Sequence, residues 1–202
     1  MNREWLEPIL ANLRASVALQ QRDGVDVYRP AAGKRHLRQK AKRVPSIDGS
    51  IHRLIEDMLD SMRAASGVGL AAPQIGVSLR VIVIDLPDEE PLVIINPEIV
   101  KRSGERKVDE GCLSLPGYHT ENLTRSLTVV VKGLDPSGRK VRVRGKDDLL
   151  AEALEHEIDH INGVLYIDRL ESKDDLIKIE PPSSPEEEPA KPSGEADSDE
   201  SD

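Results

Sequence analysis

His156-Glu157-Ile158-Asp159-His160 decides how this chain is read. Residues four apart on a helix share a face, so two imidazoles at this spacing can grip one cation. The single cysteine, Cys112, lies upstream in Glu110-Gly111-Cys112-Leu113-Ser114. A thiolate from elsewhere in the fold makes a third ligand and leaves one position open for water. Three protein ligands and a water are the composition of a catalytic metal centre; a structural one usually fills the fourth position with protein. Glu157 follows one ligand and precedes the other by three, so it can lean over the open position without ligating. A carboxylate there can take a proton from water and deliver it to a leaving group.

The flanking residues predict the helix that carries this motif. Leu150, Leu154, Ile158 and Ile161 form an apolar stripe at helical spacing. Asp147 or Asp148 can cap its start, and Gly163 can take the left-handed conformation that ends it. Such a helix should be central and buried. The expected fold class is therefore α+β, with antiparallel sheets packed around a central helix that carries the motif.

The strands are expected upstream. Leu79 to Asp85 and Leu92 to Asn96 are β-branched runs. Leu127 to Val131 and Lys140 to Val143 flank Asp135-Pro136-Ser137-Gly138, a type I turn pattern that predicts a hairpin. An earlier helix should begin at Asp48 or Ser50, bury Ile51, Leu54, Ile55, Met58, Leu59 and Met62, and stop near Ser66-Gly67. Arg3 to about Gln21 also shows helical spacing of apolar residues.

The 202 residues carry a net charge of −9, unevenly placed. Nine acids and one lysine fall between Glu180 and Asp202, so the rest of the chain is close to neutral. The acidic balance describes the tail, not the body, and the body lacks the basic character of a typical DNA binder. The end from Pro181 holds no large apolar residue before Asp202 and is expected to be disordered. One cysteine cannot form an intramolecular disulfide, and no apolar run reaches signal-peptide or membrane-span length. A soluble cytoplasmic protein is expected, with no membrane partner. With no Phe, one Trp and three Tyr, the core must be aliphatic.

Each motif has a plainer explanation. A single helix histidine is usually a satisfied buried residue, but five His and 19 Glu in this length give the His-Glu-x-x-His pattern by chance only roughly 0.01 times. A lone cysteine is more often a small buried hydrophobe. Here Gly111 lets backbone approach, and Leu113 offers an N–H beside the expected metal that can stabilise an oxyanion. Gly67-Val68-Gly69-Leu70-Ala71-Ala72-Pro73-Gln74 can be a mere helix-to-strand turn, although Gln74 supplies a neutral amide. The basic run Lys34 to Arg43 lacks aromatic stacking partners and reads as a solvated entry segment. His36, His52 and His119 read as surface or satisfied residues.

These three motifs, in this order, resemble the signatures of the bacterial-type peptide deformylase family. The resemblance runs from about Tyr28 to Leu170. It implies an N-terminal extension over 1–27, a catalytic domain over 28–172 and an acidic tail over 173–202. It further implies a metal-dependent hydrolase that removes the N-formyl group from the N-terminal methionine of newly synthesised polypeptides. Its partners would be N-formyl-methionyl nascent peptides, with transient ribosome proximity.

The resemblance assigns Cys112, His156 and His160 to the metal: Fe(2+) first, with Zn(2+) or Ni(2+) as substitutes. It makes Glu157 the general acid and base. Gln74 and the Leu113 N–H would bind the formyl oxygen, Gly69 would lie beside the metal, and the backbone near Val68 would pair with substrate as an added strand. Val108, Leu149, Ala153 and His156 would form the methionine pocket, and Glu110 would pair with Arg125. The chain departs from familiar members at Gly117-Tyr118-His119, where some carry an arginine, and in its acidic end, where some carry a basic helix. An endopeptidase and a non-catalytic protein with a structural metal are the rival readings. Formylated against unformylated peptide separates the first, and an exchangeable water on the metal separates the second.

Overall fold

The structure is a computed structural model. It describes the strands at 19–22 and 25–28 and the residues 37–179. Most of the helix expected over Arg3 to Gln21, the basic residues 33–36 and the acidic end from Pro181 fall outside the described residues. At Leu19–Arg22 the chain is a strand, β1, antiparallel to β2 at Val25–Tyr28 with Leu19 opposite Tyr28. The helical expectation fails at that end. The register brings Arg22 opposite Val25, and cross-strand pairing outweighs a weak apolar period.

The main sheet has six strands. Its path runs β3 (Gly69–Ala71), β4 (Val81–Ile84), β5 (Leu92–Gly111), β6 (Tyr118–Leu134) and β7 (Lys140–Lys146), all antiparallel, and β8 (Leu176–Lys178) pairs with the start of β6. Two α-helices lie among the described residues: α1 (Gly49–Ala64) and α2 (Leu149–Ile161). The fold is α+β and mostly antiparallel sheet.

β4 explains the layering. Val81-Ile82-Val83-Ile84 is at most 1% exposed, because both of its faces are covered. Ile82 and Ile84 join the cluster that includes Leu154, Ile158 and Ile161 of α2. Val81 and Val83 join the cluster that includes Leu54, Met58 and Met62 of α1. A third cluster, around Leu37, Leu115 and Tyr166, closes the other end. Apart from Tyr166 and the half-buried Tyr118 in that third cluster, the core is aliphatic, as the composition requires.

Both helices have local causes. The Asp48 carboxylate accepts from the N–H groups of Ser50 and Ile51 and caps α1. Asp148 accepts from Ala151 N–H at 2.7 Å and caps α2. At the far end of α2, Val164 N–H reaches Asp159 O, Gly163 N–H reaches His160 O, and Gly163 has φ +79°. That is a Schellman stop, which needs a residue without a β-carbon penalty. Buried Arg80 donates to Ile161 O, Asn162 Oδ1 and Pro97 O, which places a cation at the negative end of the α2 dipole.

β5 and β6 run far beyond the expected strands. From Val100 to Glu105 β5 is exposed on both faces, so no apolar alternation marks that stretch. Three register shifts bend the pair. One sits at Asn96-Pro97, with Asn96 at φ +55° and its side-chain amide clamped to both backbone groups of Val44. Another adds a residue to β6 between Thr120 and Leu123, with Asn122 at φ +64°. This bend is followed by Glu110 and then Cys112, which are carried toward α2.

Candidate metal centre

α2 supplies two imidazoles to one point. His156 Nε2 and His160 Nε2 are 3.1 Å apart, and Cys112 Sγ is 3.2 Å from His160 Nε2. The three donor atoms all lie within 4.8 Å of one another. Two neutral-capable imidazoles and a thiolate suit a divalent transition metal, so the residues present fit such an ion. Burial alone opposes a charged Cys112, but the two imidazoles outweigh it and hold the thiol well below its ordinary range. The same burial opposes His156 as a cation, and Cys112 with Glu110 outweighs it.

Cys112 sits just past β5, where the chain turns with Leu115 N–H on Cys112 O at 2.9 Å. Ser114 N–H points at Cys112 Sγ, 3.4 Å away. Leu113 lines the cleft above, and so does Val68. Val68 precedes β3, and Gly69 opens that short strand.

Gln74 lies in a 3-10 turn, Ala72–Ile75, and is 1% exposed. Its Oε1 accepts from Ala71 N–H at 2.7 Å, which fixes the amide. Its Nε2 therefore faces the centre, 3.2 Å from Ser114 Oγ and 3.9 Å from Cys112 Sγ. Glu157 is 3% exposed, and its buried Oε2 has no hydrogen-bond partner. Burial pushes its carboxyl up to about 7, against the pull of His156 and His160. A buried carboxyl near neutrality beside a metal-capable cluster is suited to proton transfer.

The histidines are held from behind. His156 Nδ1 is 2.5 Å from Glu110 Oε1, leaving Nε2 for the centre. Arg125 donates two bonds to Glu110, at 2.8 and 2.6 Å, and a third to Asp159 at 2.7 Å. Arg169 grips the same Asp159 through two bonds. His156 and Arg125 outweigh the cost of burying Glu110 and draw its carboxyl down to about 2.

A cleft of about 380 Å³ opens over the cluster. Leu149, Ala153 and His156 line it, whereas Val108 packs beneath it in the third core cluster. His119 lines it too. His52 instead meets Pro136 O at the surface, 3.0 Å away. Sequence reasoning missed Glu152 and Ile179 in the cleft, the contact of Ser114 with Gln74, and the Asp159–Arg169 pair. Asp159 had a visible signal: it sits inside the motif, where a carboxylate on the face away from the ligands needs a buried cation.

The family model for polypeptide deformylase matches residues 30–175. A peptide deformylase of Dehalococcoides mccartyi strain CBDB1 is 58% identical over 146 residues, covering 72% of this chain and 86% of the relative. One from Thermomicrobium roseum is 48% identical over 155 residues, covering 73% and 87%. The crystal structure of a Synechococcus elongatus peptide deformylase in complex with actinonin superposes with a TM-score of 0.70 at 40% identity, covering 80% of this chain and 89% of that one. A Legionella pneumophila peptide deformylase structure gives 0.64 at 52% identity, covering 67% and 80%.

Proposed function

The chain belongs to the peptide deformylase family, and on that premise we propose how its own residues divide the work of the reaction. The protein is a metal-dependent hydrolase that removes the N-formyl group from newly synthesised polypeptides. The convergence of one thiol and two imidazoles at the floor of a cleft supports the assignment of residues. Cys112, His156 and His160 hold the metal, with α2 as the organising centre of the fold. When bound, the ion supplies Lewis acidity to water and to the formyl oxygen.

The remaining steps fall to this chain's side chains and backbone. Gln74 Nε2 and the Leu113 N–H donate to the formyl oxygen as negative charge grows on it. Glu157 accepts a proton from the attacking water as its oxygen bonds to the formyl carbon. It then gives that proton to the departing amine nitrogen as the C–N bond breaks, releasing formate and a free N-terminal methionine. Gly69 leaves room for Glu157, and the backbone at Val68 pairs with the peptide. Leu149 and Ala153 meet the methionine side chain.

The physiological metal is Fe(2+), with Zn(2+) or Ni(2+) able to substitute, because thiolate and imidazole serve all three. The catalytic unit is the 28–172 body together with β8 and Ile179, which join its sheet and its cleft; 1–27 is an extension, and the acidic tail follows. The enzyme works in the cytoplasm on formyl-methionyl nascent chains near the ribosome. No helix among the described residues is long and apolar enough to cross a membrane.

Anaerobic turnover of a formyl-Met tripeptide tests the reading. Formate release from the formylated peptide, with the unformylated one left intact, is the expected result. Cys112→Ser should lose bound metal and turnover together. A Cys112→Ser protein that keeps its metal content and rate would remove the thiolate from the ligand set.

A further inference from the structure

Four large apolar side chains are exposed among the described residues: Val68, Val100, Leu149 and Ile179. Three of them, Val68, Leu149 and Ile179, line the one cleft over the metal-capable cluster. Apolar surface gathered in a concave site marks a ligand contact more than scattered exposure does. Val68 and Leu149 already have parts in the deformylase reading; Ile179 has none.

Ile179 is the most exposed of the four, at 52%, yet its backbone is fixed. Its N–H donates to Gly117 O at 2.9 Å. Just before it, β8 pairs with β6 in the register Leu176 to Thr120, Ile177 to His119 and Lys178 to Tyr118. Leu176 packs against the third core cluster and anchors that strand. The family match ends at residue 175, so this wall is built from chain beyond it.

We propose that Ile179 is a specificity-determining residue, which contacts the substrate side chain immediately downstream of the formylated methionine and favours an apolar one. The proposal rests on the deformylase reading. The formyl group must reach Cys112, His156 and His160 at the buried floor, and the methionine lies next to it against Leu149 and Ala153. The following residue must then pass the mouth, where Ile179 stands. An apolar side chain there covers Ile179 and is itself covered, whereas a methyl group is too short to gain much.

The experiment compares formyl-Met-Leu-Ser with formyl-Met-Ala-Ser in the wild type, Ile179→Ser and Ile179→Leu. The wild type should prefer the Leu peptide. Ile179→Ser should lose about fivefold in kcat/KM on that peptide, nearly all in KM, while staying within about twofold on the Ala peptide. Ile179→Leu should restore the preference, and the thermal midpoints should agree. An equal loss on both peptides, or no loss on either, overturns the proposal. A wild type that deformylates neither peptide fails at an earlier point: it strikes down the activity itself.

Discussion

The backbone of Gly69 runs so close to Glu157 that a β-carbon on residue 69 would lie 2.5 Å from the Glu157 carboxylate oxygen. Both residues sit at the cleft, one on the sheet and one on α2. Any side chain at 69 must therefore push Glu157 aside or lift β3. Gly69→Ala should lower kcat by at least about tenfold, since small misplacement of a catalytic group is costly. Steady-state kinetics with metal analysis will check this. A variant with full metal and full kcat would mean that Glu157 need not stay where Gly69 lets it stand.

Glu157 itself gives a sharper test. Glu157→Gln keeps the volume and the α2 helix but removes the titratable proton. Metal content should remain, while kcat falls by ~10²-fold or more. Loss of metal in this variant would instead make Glu157 a ligand.

The legible parts of the fold are those where one local rule acts alone. α2 was readable because cap, apolar stripe and terminal glycine agree, and its spacing put His156 and His160 on one face. The cysteine motif stood out by rarity. The middle of β5 was not readable, because Val100 to Glu105 is held by β6 rather than by burial of an apolar face. β8 was missed for a similar reason: three residues after a Ser-Lys-Asp-Asp turn carry too little pattern. The Glu110–Arg125 pair entered only through family resemblance, since the two residues lie on different strands and are not register partners: Glu110 is opposite Thr120 and Arg125 opposite Arg106.

Asp135 ties the β6–β7 turn, accepting from the Ser137 hydroxyl and from the N–H groups of Ser137 and Arg139. The Ser137 hydroxyl first, and then Arg139, hold its carboxyl down at about 2. A carboxyl whose folded pKa lies below its unfolded value of 3.8 favours folding above pH 3.8. That contribution fades as pH falls toward 2. Unfolding midpoints from pH 5 to pH 2 should thus fall less steeply in Asp135→Asn than in wild type. Parallel curves would mean that the turn bonds persist in the unfolded chain.

Gly145 faces a harder limit. A β-carbon there would sit 2.4 Å from Ala151 N and 2.5 Å from Ala151 Cα, both in the first turn of α2. Backbone cannot swing away as a side-chain tip can. Gly145→Val should cost about 1–3 kcal/mol of stability, through displaced packing of α2 on β7. Denaturant midpoints measure it directly. Because α2 carries both histidines, metal affinity should fall as well. A destabilised variant with unchanged metal affinity would show that the histidine end of α2 is held independently of its first turn.

Arg125 makes the last and most severe case. Its side chain is 1% exposed and sits between Glu110, 3% exposed, and Asp159, 6% exposed. Replacing it with methionine leaves both carboxylates buried with less positive charge. Asp159 keeps Arg169, and Glu110 keeps only the His156 ring. Removing one partner of such a buried set typically costs about 3–5 kcal/mol. Glu110→Gln combined with Arg125→Met removes one stranded charge, so the double variant should be more stable than Arg125→Met alone. Glu110→Gln by itself keeps an oxygen for His156 Nδ1, and it should lose less metal affinity than Arg125→Met. Thermal unfolding of the three proteins orders them. If the double variant were the least stable, Arg125 would be acting through packing volume and not through charge.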